Sequence, residues 1–457
     1  MPADGPVDVL AGRPVDVLVV GAGPAGLALA ARLAAAGAGR VEVLEREPEA
    51  GGMPRHLHHG GFGRPPRPWL RGPEYARRSA EAAVAAGAVV RTGVTATGWA
   101  SPLSLDTTSP AGLERITARA VVLATGVRER PRSARLVPGS RPQGVLTTGE
   151  LLQSVHRYGL PVGRRAVVVG AEPVARHAVG TLRQAGTDVV AMVTELPRAT
   201  AVPGVPLLTA TTVDALRGRG RLTGVALRHR DGRSGSWPAT RWSSPATGSP
   251  ITSWPAAAAS PGPGTRGPCV DASFRTPVPG VFAVGNALHG IERAATAAGE
   301  GAAAAAPVLA YLAGAPWPDP GPPLEVRAPL LWVTPNRVTG PVTAGRPLLL
   351  RSGERMTGPV VTVSQDGRLL WRRRIVGPLS RPARCACRRT GRPGWTRPAA
   401  RSWWRSADAG PAEAWGTTVQ GDPQSRRGHT NETPISVCGG HRATPTLVAL
   451  CQLSRNE

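Results

Sequence analysis

A complete βαβ pattern near the N-terminus constrains the fold of this chain more than any other feature. Between Val15 and Glu45 an apolar strand leads into a Gly-x-Gly-x-x-Gly turn, an Ala/Leu-rich helix and a second strand. Gly21 permits the tight turn, Gly23 lets the backbone approach a pyrophosphate, and Gly26 allows close helix packing. Because the helix begins at this turn, its free N–H groups and positive dipole end favour a bound anion.

An acidic residue completes the pattern. Glu45 ends the second strand roughly 20 residues beyond Gly26, where the ribose of a bound nucleotide needs a hydrogen-bond acceptor. A glycine fingerprint alone is a weak signal. Strand, glycines, helix, strand and acid in register together predict a dinucleotide-binding α/β domain.

Two later motifs follow apolar runs, Ala124-Thr125-Gly126 after residues 120–123 and Gly285-Asn286 after residues 281–284. In this order the motifs resemble the FAD-dependent pyridine nucleotide-disulfide oxidoreductase superfamily, over about residues 15–314. The resemblance implies that FAD is the cofactor. It implies FAD contacts at Gly21, Gly23, Pro24, Ala25, Gly26, Glu45, Arg46, Gly52, Thr125, Gly126, Gly285 and Asn286.

One of these positions departs from the family pattern. Asn286 stands where the superfamily usually has an aspartate that touches the ribityl and pyrophosphate part of FAD. An amide both donates and accepts hydrogen bonds but carries no charge. FAD therefore stays the expected cofactor, with an altered contact at this point.

A second, poorer nucleotide fingerprint begins at residue 165. An apolar strand leads to Gly170, but Glu172 stands where the second glycine belongs, and a carboxylate there opposes a pyrophosphate. The placement resembles the inserted NAD(P)H domain of the superfamily. Two interpretations stay open: NADH binding through Gly170 and Glu195, or a domain kept for its architecture. If a nicotinamide binds, Glu195 suits the free 2′-hydroxyl of NADH better than the 2′-phosphate of NADPH.

The cysteines exclude the best-known chemistry of this superfamily. The five are Cys269, Cys385, Cys387, Cys438 and Cys451. They contain no CxxC pair for a disulfide-reductase mechanism and no cluster at iron–sulfur spacing. Their odd number, together with nucleotide-binding folds and no secretory segment, favours a reducing cytoplasm.

A closer subgroup is indicated by the Gly-Gly-Met-Pro-Arg-His-Leu-His-His run at residues 51–59 and by residues 125–131. These resemble the flavoprotein subunits grouped with opine oxidase, hydrogen cyanide synthase and anaerobic glycerol-3-phosphate dehydrogenase. The resemblance implies oxidation of a small amine or hydroxy acid, often within a larger complex. Arg55, His56 and His289 are the candidates to steady the negative N1/O2 edge of a reduced flavin. We expect no metal, because no carboxylate or cysteine lies near these histidines in sequence.

The charge of the chain requires a separate explanation. The formal net charge is +25, and since lysine is absent all 55 basic residues are arginines. A pattern of cations and aromatic rings that is typical of nucleic-acid binding occurs near the C-terminal end. It comprises Arg372–Arg374 and Arg381–Arg405, with Trp395, Trp403 and Trp404 among them. However, the arginine bias together with 57 glycines and 48 prolines favours a GC-rich coding sequence. We therefore expect no nucleic-acid partner, and we find no convincing membrane span in the sequence.

The motifs predict an α/β flavoprotein fold with two dinucleotide-binding, Rossmann-like domains. A discontinuous FAD domain occupies residues 1–155 and 265–315, and an NAD(P)-binding-like domain is inserted at 160–264. Strand-like runs predict a small β-rich appendage at 324–376. Residues 377–457 lack regular apolar periodicity and are predicted to form a disordered tail.

Residues 235–263 suggest an interruption of the reading frame. Trp242–Trp254 shows neither helical nor strand periodicity where the inserted domain needs a core strand. Codons allowed for these residues, read one base earlier, can spell VVFTGDWIPDHEL, which contains an apolar strand and a Thr-Gly-Asp turn. The alternatives are a frame change or an unusual natural loop. The tail at 377–457 leaves the same choice, and the nucleotide sequence of the gene decides both.

The sequence thus predicts a cytoplasmic FAD-dependent oxidoreductase. It would move a hydride or electrons between a small organic substrate, or NAD(P)H, and an acceptor. The alternative is a non-catalytic or electron-relay FAD subunit of a multi-subunit dehydrogenase or oxidase. In either case a second oxidoreductase subunit is a candidate partner.

Overall fold

The computed structural model divides the chain into two compact units. Unit 1 comprises Met1–Pro261, Thr265–Pro268 and Ser273–Trp317, and unit 2 comprises Gly262–Gly264, Cys269–Ala272 and Pro318–Glu457. The structure describes residues 10–11, 14–63, 70–129, 132–140, 142–239, 241–244, 248–250, 265, 267–290, 292–339, 348–353, 356–365, 368–375, 378–379, 383–385, 431–433 and 447–453.

Five α-helices and three 3₁₀ turns lie in the described part of unit 1. The helices are α1 (Pro24–Ala35), α2 (Gly72–Ala85), α3 (Thr148–His156), α4 (Pro173–Gln184) and α5 (Ala294–Leu312). The 3₁₀ turns are η1 (Met53–His56), η2 (Ser133–Arg135) and η3 (Gly285–Ala287).

The described strands of unit 1 form four sheets. In chain order they are β1 (Leu10–Ala11), β2 (Val15–Val20), β3 (Val41–Glu45), β4 (Val89–Thr92), β5 (Thr95–Ser101), β6 (Ser104–Ser109), β7 (Gly112–Leu123), β8 (Val127–Glu129), β9 (Val145–Thr147), β10 (Arg165–Val169), β11 (Asp188–Val193), β12 (Leu207–Leu208), β13 (Thr211–Arg217), β14 (Gly224–His229), β15 (Ser234–Pro238), β16 (Arg241–Ser244), β17 (Gly248–Pro250) and β18 (Val281–Ala283).

The first sheet is built around β2 and β7. Its strand order is β4-β3-β2-β7-β6-β5, and β1 and β18 also pair with β7. The pairings of β2 with β3 and β7, of β3 with β4, and of β7 with β18 are parallel. Strands β2 and β3 are almost wholly buried, as the near-continuous apolar runs of a parallel sheet require. Strand β18, which follows the inserted segment in the chain, thus joins the sheet that the N-terminal residues begin.

The second sheet has the order β12-β11-β10-β16-β9 and is parallel throughout. Helix α4 covers it with a core that includes Ala175, Val179 and Leu182. An antiparallel sheet, β13-β14-β15, lies between β12 and β16 in the chain, and β17 pairs with β8. These strands supply the α/β architecture expected of a second nucleotide-binding-like region.

Part of Trp242–Trp254, the segment without helical or strand periodicity, lies in strands in the structure. Residues Arg241–Ser244 form β16, which pairs in parallel with β10 and β9 at the centre of the second sheet. Gly248–Pro250 form β17. Backbone hydrogen bonds to neighbouring strands form these two strands, although the sequence lacks the apolar run that is typical of a central parallel strand. Residues 251–264 lie outside the described residues, as do Arg130 and Pro131 of the subgroup motif.

Unit 2 is a β structure. Its described strands are β19 (Leu324–Glu325), β20 (Leu330–Thr334), β21 (Leu348–Ser352), β22 (Met356–Thr357), β23 (Val360–Gln365), β24 (Arg368–Arg374), β25 (Pro378–Leu379), β26 (Ala383–Cys385), β27 (Asn431–Thr433) and β28 (Leu447–Leu453). Leu324, Leu330, Val333, Leu350, Met356 and Val361 form its core.

The expectation of an irregular tail is wrong for the described strands after residue 377. Strand β28 lies between β19 and β23, and it pairs with β23 over its apolar run. A run such as Leu447-Val448-Ala449-Leu450 readily forms a strand once a partner supplies the hydrogen bonds. Residues 386–430, 434–446 and 454–457 lie outside the described residues.

Candidate functional site

In the first glycine turn, close backbone contacts leave no room for a side chain at two of the three glycines. Gly21 has a φ of +111°, which favours glycine, and a Cβ there would lie 2.5 Å from the Ala124 carbonyl oxygen. A Cβ at Gly26 would lie 2.0 Å from the Gly21 carbonyl oxygen. Both glycines are therefore needed for the turn and for helix α1 to pack against β2.

Gly23 differs from these two glycines. A Cβ at this position would meet no atom within 4 Å, and the φ of Gly23 is −83°. Gly23 is the N-cap of α1, and no side chain caps this helix end. The first turn of α1 therefore offers backbone N–H donors beside open space, which is the geometry of an anion cradle.

Glu45 is fastened to the same turn. Its side chain is buried at the end of β3, where Oε2 accepts a hydrogen bond from Ala22 N at 3.2 Å. Oε1 accepts from Glu47 N at 3.0 Å. The carboxylate is thus held in one orientation beside the glycine turn. The neighbouring Arg46 is exposed, and its Nε lies 3.8 Å from Glu47 Oε1.

Three other segments converge on the N-terminus of α1. Gly51 N donates to the Ala22 carbonyl oxygen at 2.7 Å, and a Cβ at Gly52 would lie 2.9 Å from the Cα of Gly23. A Cβ at Gly285 would lie 2.6 Å from that of Ala25. The same close approach brings the Cα of Thr125 within 3.3 Å of a Cβ at Gly21, and Gly126 follows with a φ of +69°. The structure therefore brings the sequence motifs, Pro24 and Ala25 included, into one place.

Asn286 uses its amide inside its own loop. Its Nδ2 donates to the Glu292 carbonyl oxygen at 3.3 Å, and its Oδ1 accepts from Glu292 N at 3.1 Å. An aspartate at this position could accept the second bond but could not donate the first. The amide therefore closes the turn between η3 and α5.

The loop after the paired glycines carries a buried cation. The side chain of Arg55 is 8% exposed, and its Nη1 lies 3.5 Å from Glu49 Oε2. Its Nε is buried and has no hydrogen-bond partner among the described residues. Since buried cations are stabilised by paired acceptors, this donor favours an additional anionic or carbonyl partner beside Gly51.

His56, next in the loop, is a neutral side chain near pH 7. Burial, followed by the nearby Arg55 charge, lowers the pKa of His56 to about 4. A neutral imidazole supplies no positive charge to a reduced flavin. Of the two neighbouring candidates, only Arg55 can therefore act as a cation at that pH.

His289, the third candidate, contacts helix α5. It is fully buried, and its Nε2 lies 3.1 Å from each carboxylate oxygen of Glu300 on α5. This contact ties the turn after η3 to helix α5. The structure thus gives His289 a packing role that its position after Gly285-Asn286 did not indicate.

The second fingerprint has the same turn but a different cradle. Gly170 has a φ of +119°, and its N–H donates to the Val193 carbonyl oxygen at 2.6 Å. Glu172 caps helix α4, and its Oε2 accepts from Ala171 N at 3.1 Å. Glu195, after β11, is exposed. The Glu172 carboxylate therefore takes one of the backbone donors that a pyrophosphate would use.

Sequence reasoning missed Glu129, at the end of β8. Its Oε2 accepts from Gly149 N at 2.7 Å at the start of α3, and burial raises its pKa. A Cβ at Gly149 would lie 3.6 Å from the Met53 side chain of η1. Glu129 thus links the segment after Ala124-Thr125-Gly126 to the first turn of α3, a contact that no sequence spacing indicated.

Sequence reasoning also missed two stacked histidine pairs. His58 stacks on His156 with ring centroids 4.2 Å apart, and His59 stacks on His177 at 3.4 Å. The run of histidines after Arg55 was visible, but its partners lie on α3 and α4, far away in sequence. Among the described residues, no group of three or more His, Cys, Asp or Glu side chains is arranged to hold a metal ion.

Two further findings concern reactivity and membranes. Cys269 is buried, and burial raises the pKa of its thiol, which disfavours the reactive thiolate. Cys387 and Cys438 lie outside the described residues. Within the described ranges, no helix has the length and apolar character needed to cross a membrane.

Several curated proteins resemble part of this chain. An opine oxidase subunit from Rhizobium meliloti is 34% identical over 184 residues, which are 38% of this chain and 34% of the relative. The alpha subunit of sarcosine oxidase from Corynebacterium sp. (strain P-1) is 34% identical over 192 residues, 39% of this chain and 19% of the relative. The match thus spans about a third of the opine oxidase relative and less of the sarcosine oxidase relative. The predicted resemblance to opine oxidase flavoproteins is confirmed.

Solved structures share the fold. Lactococcus lactis thioredoxin reductase matches with a TM-score of 0.55 and 19% identity, over 65% of this chain and 99% of that one. L-Proline dehydrogenase from P. horikoshii matches with a TM-score of 0.51 and 17% identity, over 67% of this chain and 57% of that one. These similarities confirm the predicted α/β flavoprotein fold.

The family comparison covers both glycine turns and the late Gly-Asn motif. The family model described as pyridine nucleotide-disulphide oxidoreductase matches residues 15–301, well over half of the chain. The chain therefore belongs to the pyridine nucleotide-disulphide oxidoreductase family.

Proposed function

We propose that this protein binds FAD at the N-terminus of α1 and moves a hydride or electrons between a small organic substrate, or NAD(P)H, and an acceptor. One observation carries the proposal: three other segments meet the N-terminus of α1, and a Cβ at Gly23 in that turn would meet no atom within 4 Å. Neighbouring atoms lie within 3 Å of a Cβ at Gly21, Gly26 and Gly52, whereas the position of Gly23 is open. Open space beside free helix N–H groups fits the pyrophosphate of a dinucleotide.

Different residues around the cradle would bind different parts of FAD. The backbone of Gly21 to Gly26 would hold the pyrophosphate, with Pro24 and Ala25 starting the helix. The fixed carboxylate of Glu45 retains lone pairs that could accept a hydrogen bond from a ribose hydroxyl. The exposed Arg46 would lie at the edge of the same cradle. The remaining contacts would come from Gly52, Thr125, Gly126, Gly285 and Asn286. When bound, FAD supplies the hydride and electron chemistry, while the protein supplies binding and electrostatics.

Arg55 is the best candidate for a charged contact with the flavin. Its guanidinium is almost fully buried, and its Nε lacks a partner among the described residues. A fixed cation beside the cofactor would stabilise the negative N1/O2 edge that forms on reduction. His56 would contribute as a neutral hydrogen-bonding group, since its pKa lies at about 4.

Direct use of NADH is the less supported part of the proposal. Gly170 keeps the required turn and Glu195 is exposed, but the Glu172 carboxylate occupies a backbone donor of the second turn. Electrons from a small amine or hydroxy acid are therefore favoured over electrons from NADH.

The alternative is an electron-relay subunit of a larger oxidase or dehydrogenase. Two relatives are named as subunits, one of opine oxidase and one of sarcosine oxidase. A relay subunit would bind FAD in the same cradle but would be reduced only when a partner subunit delivers the electrons. The two functions share a cofactor and differ in what reduces it.

An absorption spectrum of the purified full chain tests the proposal, before and after anaerobic addition of NADH. We expect flavin bands at near-stoichiometric occupancy and little bleaching by NADH. Fast bleaching by NADH alone would establish direct nicotinamide use. Bleaching by a small amine or hydroxy acid alone would support the enzyme, and bleaching only with an added partner subunit would support the relay. A folded protein that remains colourless after incubation with FAD would overturn both.

A further inference from the structure

Five of the nine histidines lie around the loop that follows Gly51-Gly52. They are His56, His58, His59, His156 and His177. The His58 and His156 rings are within 11° of parallel, and the His59 and His177 rings within 3°. His58 and His59 belong to the segment between η1 and α2, whereas His156 ends α3 and His177 lies on α4. The two stacks therefore fasten a loop near the first glycine turn to two helices beside the second sheet.

The two nitrogens of the His59 ring have different surroundings. His59 Nδ1 lies 2.6 Å from the Gly60 carbonyl oxygen, so Nδ1 carries the proton that is donated. His59 Nε2 is buried and has no hydrogen-bond partner among the described residues. A second proton on this ring would therefore place a charged N–H where no acceptor is available. Facing it at a centroid distance of 3.4 Å is the ring of His177, which would repel it when also protonated.

Most of the surrounding charges also disfavour protonation. Besides burial, the charge of Arg71 lowers the pKa of His58, and the charge of Arg176 lowers the pKa of His177. Besides burial, the charges of Arg55 and Arg157 lower the pKa of His56, and the charge of Glu47 raises it. Glu47 Oε2 lies 3.3 Å from Arg157 Nη1.

On α3, His156 Nε2 contacts Thr181 Oγ1 of α4 at 3.2 Å. Burial lowers the pKa of His58 and of His156, and it lowers that of His177 to about 4. Protonation thus adds like charge to an already cationic neighbourhood.

We propose that the two imidazole stacks form a proton-sensitive latch, which fastens the loop at residues 57–63 to α3 and α4 when neutral and releases it when protonated. Each stack needs at least one neutral ring, because two parallel imidazolium rings repel each other. The loop continues directly from η1, which carries Arg55. Release of the latch would therefore loosen the segment beside the first glycine turn in acid. The latch depends on the histidine contacts alone and does not require the proposed cofactor.

Hydrogen–deuterium exchange of the purified full chain tests the latch at about pH 7.5 and about pH 5, with rates corrected for intrinsic exchange. We expect protection of the amides of residues 57–63 to fall about tenfold or more at the lower pH, as for a shift of about one pKa unit. The double variant His59→Phe/His177→Phe keeps an aromatic pair that cannot be protonated. In that variant the pH effect should shrink to about twofold or less. The matched control His229→Phe, in strand β14 of a different sheet, should respond as the wild type does.

Additional variants and an EDTA control complete the test. If the first double variant does not fold, His58→Phe/His156→Phe tests the other stack in the same way. Glu47→Gln should retain the pH effect, because the latch does not depend on the Arg157–Glu47 ion pair. Equal protection at both pH values in the wild type would overturn the proposal, as would an unchanged pH effect in the phenylalanine variants. Protection at neutral pH that disappears on addition of EDTA would also overturn it, since the rings would then hold a metal.

Discussion

At the scale of single residues, the three glycines of the Gly-x-Gly-x-x-Gly motif are required for different physical reasons. Gly21 and Gly26 are enforced by carbonyl oxygens that a Cβ would strike at 2.5 and 2.0 Å. Gly23 has no such neighbour and no left-handed backbone. The protein itself therefore requires the first and third glycines, whereas a bound ligand is the best explanation for the second.

Gly23→Ala should separate ligand binding from folding. A Cβ fits the protein at this position, so we expect a loss of stability of about 1 kcal/mol or less from the poorer N-cap. The same Cβ fills the cradle, and we expect FAD affinity to fall about tenfold or more. Urea unfolding and flavin titration measure the two effects. The control Gly180→Ala, within α4, should gain up to about 1 kcal/mol and leave FAD affinity unchanged.

His289 illustrates how burial assigns a role. His289→Leu should lower the free energy of unfolding by about 3 kcal/mol, because Glu300 would lose a partner inside the protein. The double variant His289→Leu/Glu300→Leu should recover much of that loss, as chemical denaturation can measure. A variant of His289 that stays fully stable but reduces its flavin slowly would instead return this residue to the catalytic candidates.

At the scale of elements, the two strand–turn–helix units differ at their helix starts. Both turns use a glycine with positive φ whose N–H donates to the neighbouring parallel strand, at 2.8 Å for Gly21 and 2.6 Å for Gly170. The first helix start is an open glycine, and the second is a glutamate bonded to Ala171 N. The same strand–turn–helix arrangement thus leaves an open cradle at the start of α1, whereas at the start of α4 the Glu172 carboxylate is bonded to Ala171 N.

Replacing Glu172 should reveal whether the second turn can still bind a nucleotide. Glu172→Gly removes both the carboxylate and its bond to Ala171 N, so we expect NADH to bind about tenfold more tightly, a gain of about 1.4 kcal/mol. Glu172→Gln removes the charge but keeps a side chain and should give a smaller gain. Anaerobic NADH titration followed by flavin bleaching provides the measurement. No change in either variant would favour a second domain retained for architecture.

Strand β16 shows backbone pairing overriding side-chain pattern. The strand has a parallel partner on each side, and Trp242 and Ser243 pair with both, although Arg-Trp-Ser-Ser is not the apolar run usual between two parallel strands. The frame read one base earlier places Val-Val-Phe at residues 242–244. The strand thus occupies a position for which the alternative reading has better strand-forming residues.

The triple variant Trp242→Val/Ser243→Val/Ser244→Phe should therefore stabilise unit 1. We expect a gain of about 1–2 kcal/mol, since β-branched and aromatic residues suit a central strand. The midpoint of urea unfolding measures it. Ser234→Val, on the exposed strand β15, should change that midpoint little. A destabilised triple variant would count against the frame hypothesis and favour a natural segment.

At the scale of the whole molecule, buried histidines make stability depend on pH. The pKa values of His56 and His177 are about 4 in the folded chain, below the usual value of 6.5. The unfolded chain therefore binds more protons than the folded one as the pH falls below 6.5. The stabilisation from the neutral rings is complete above that pH and is lost progressively down to about pH 4.

Urea unfolding between about pH 7.5 and about pH 4.5 should show this loss as a falling midpoint. Because His56 is buried and His177 is half-buried, we expect about 1–2 kcal/mol from each at most. His56→Gln should flatten the pH dependence, whereas His229→Gln should leave it unchanged. A midpoint that stays level below pH 6.5 in the wild type would contradict the lowered pKa values.

Much of the fold could be predicted because local patterns carry it. The runs at Val15–Val20, Val41–Glu45 and Asp188–Val193 are strands as the apolar pattern predicted. The strand-like runs of the appendage also appear as β20, β23 and β24. Strands β16 and β28 could not be predicted, because partners distant in sequence supply their hydrogen bonds.

By itself, the sequence determined the glycine turns, the acid at Glu45 and the order of the motifs, because each depends on backbone geometry within a few residues. Only the tertiary structure decided which side chains are buried and what they contact. It turned His289 towards Glu300, left Arg55 Nε buried without a hydrogen-bond partner among the described residues, and stacked His59 on His177. Burial and pairing across long sequence separations set charge and hydrogen bonding, and no local pattern encodes them.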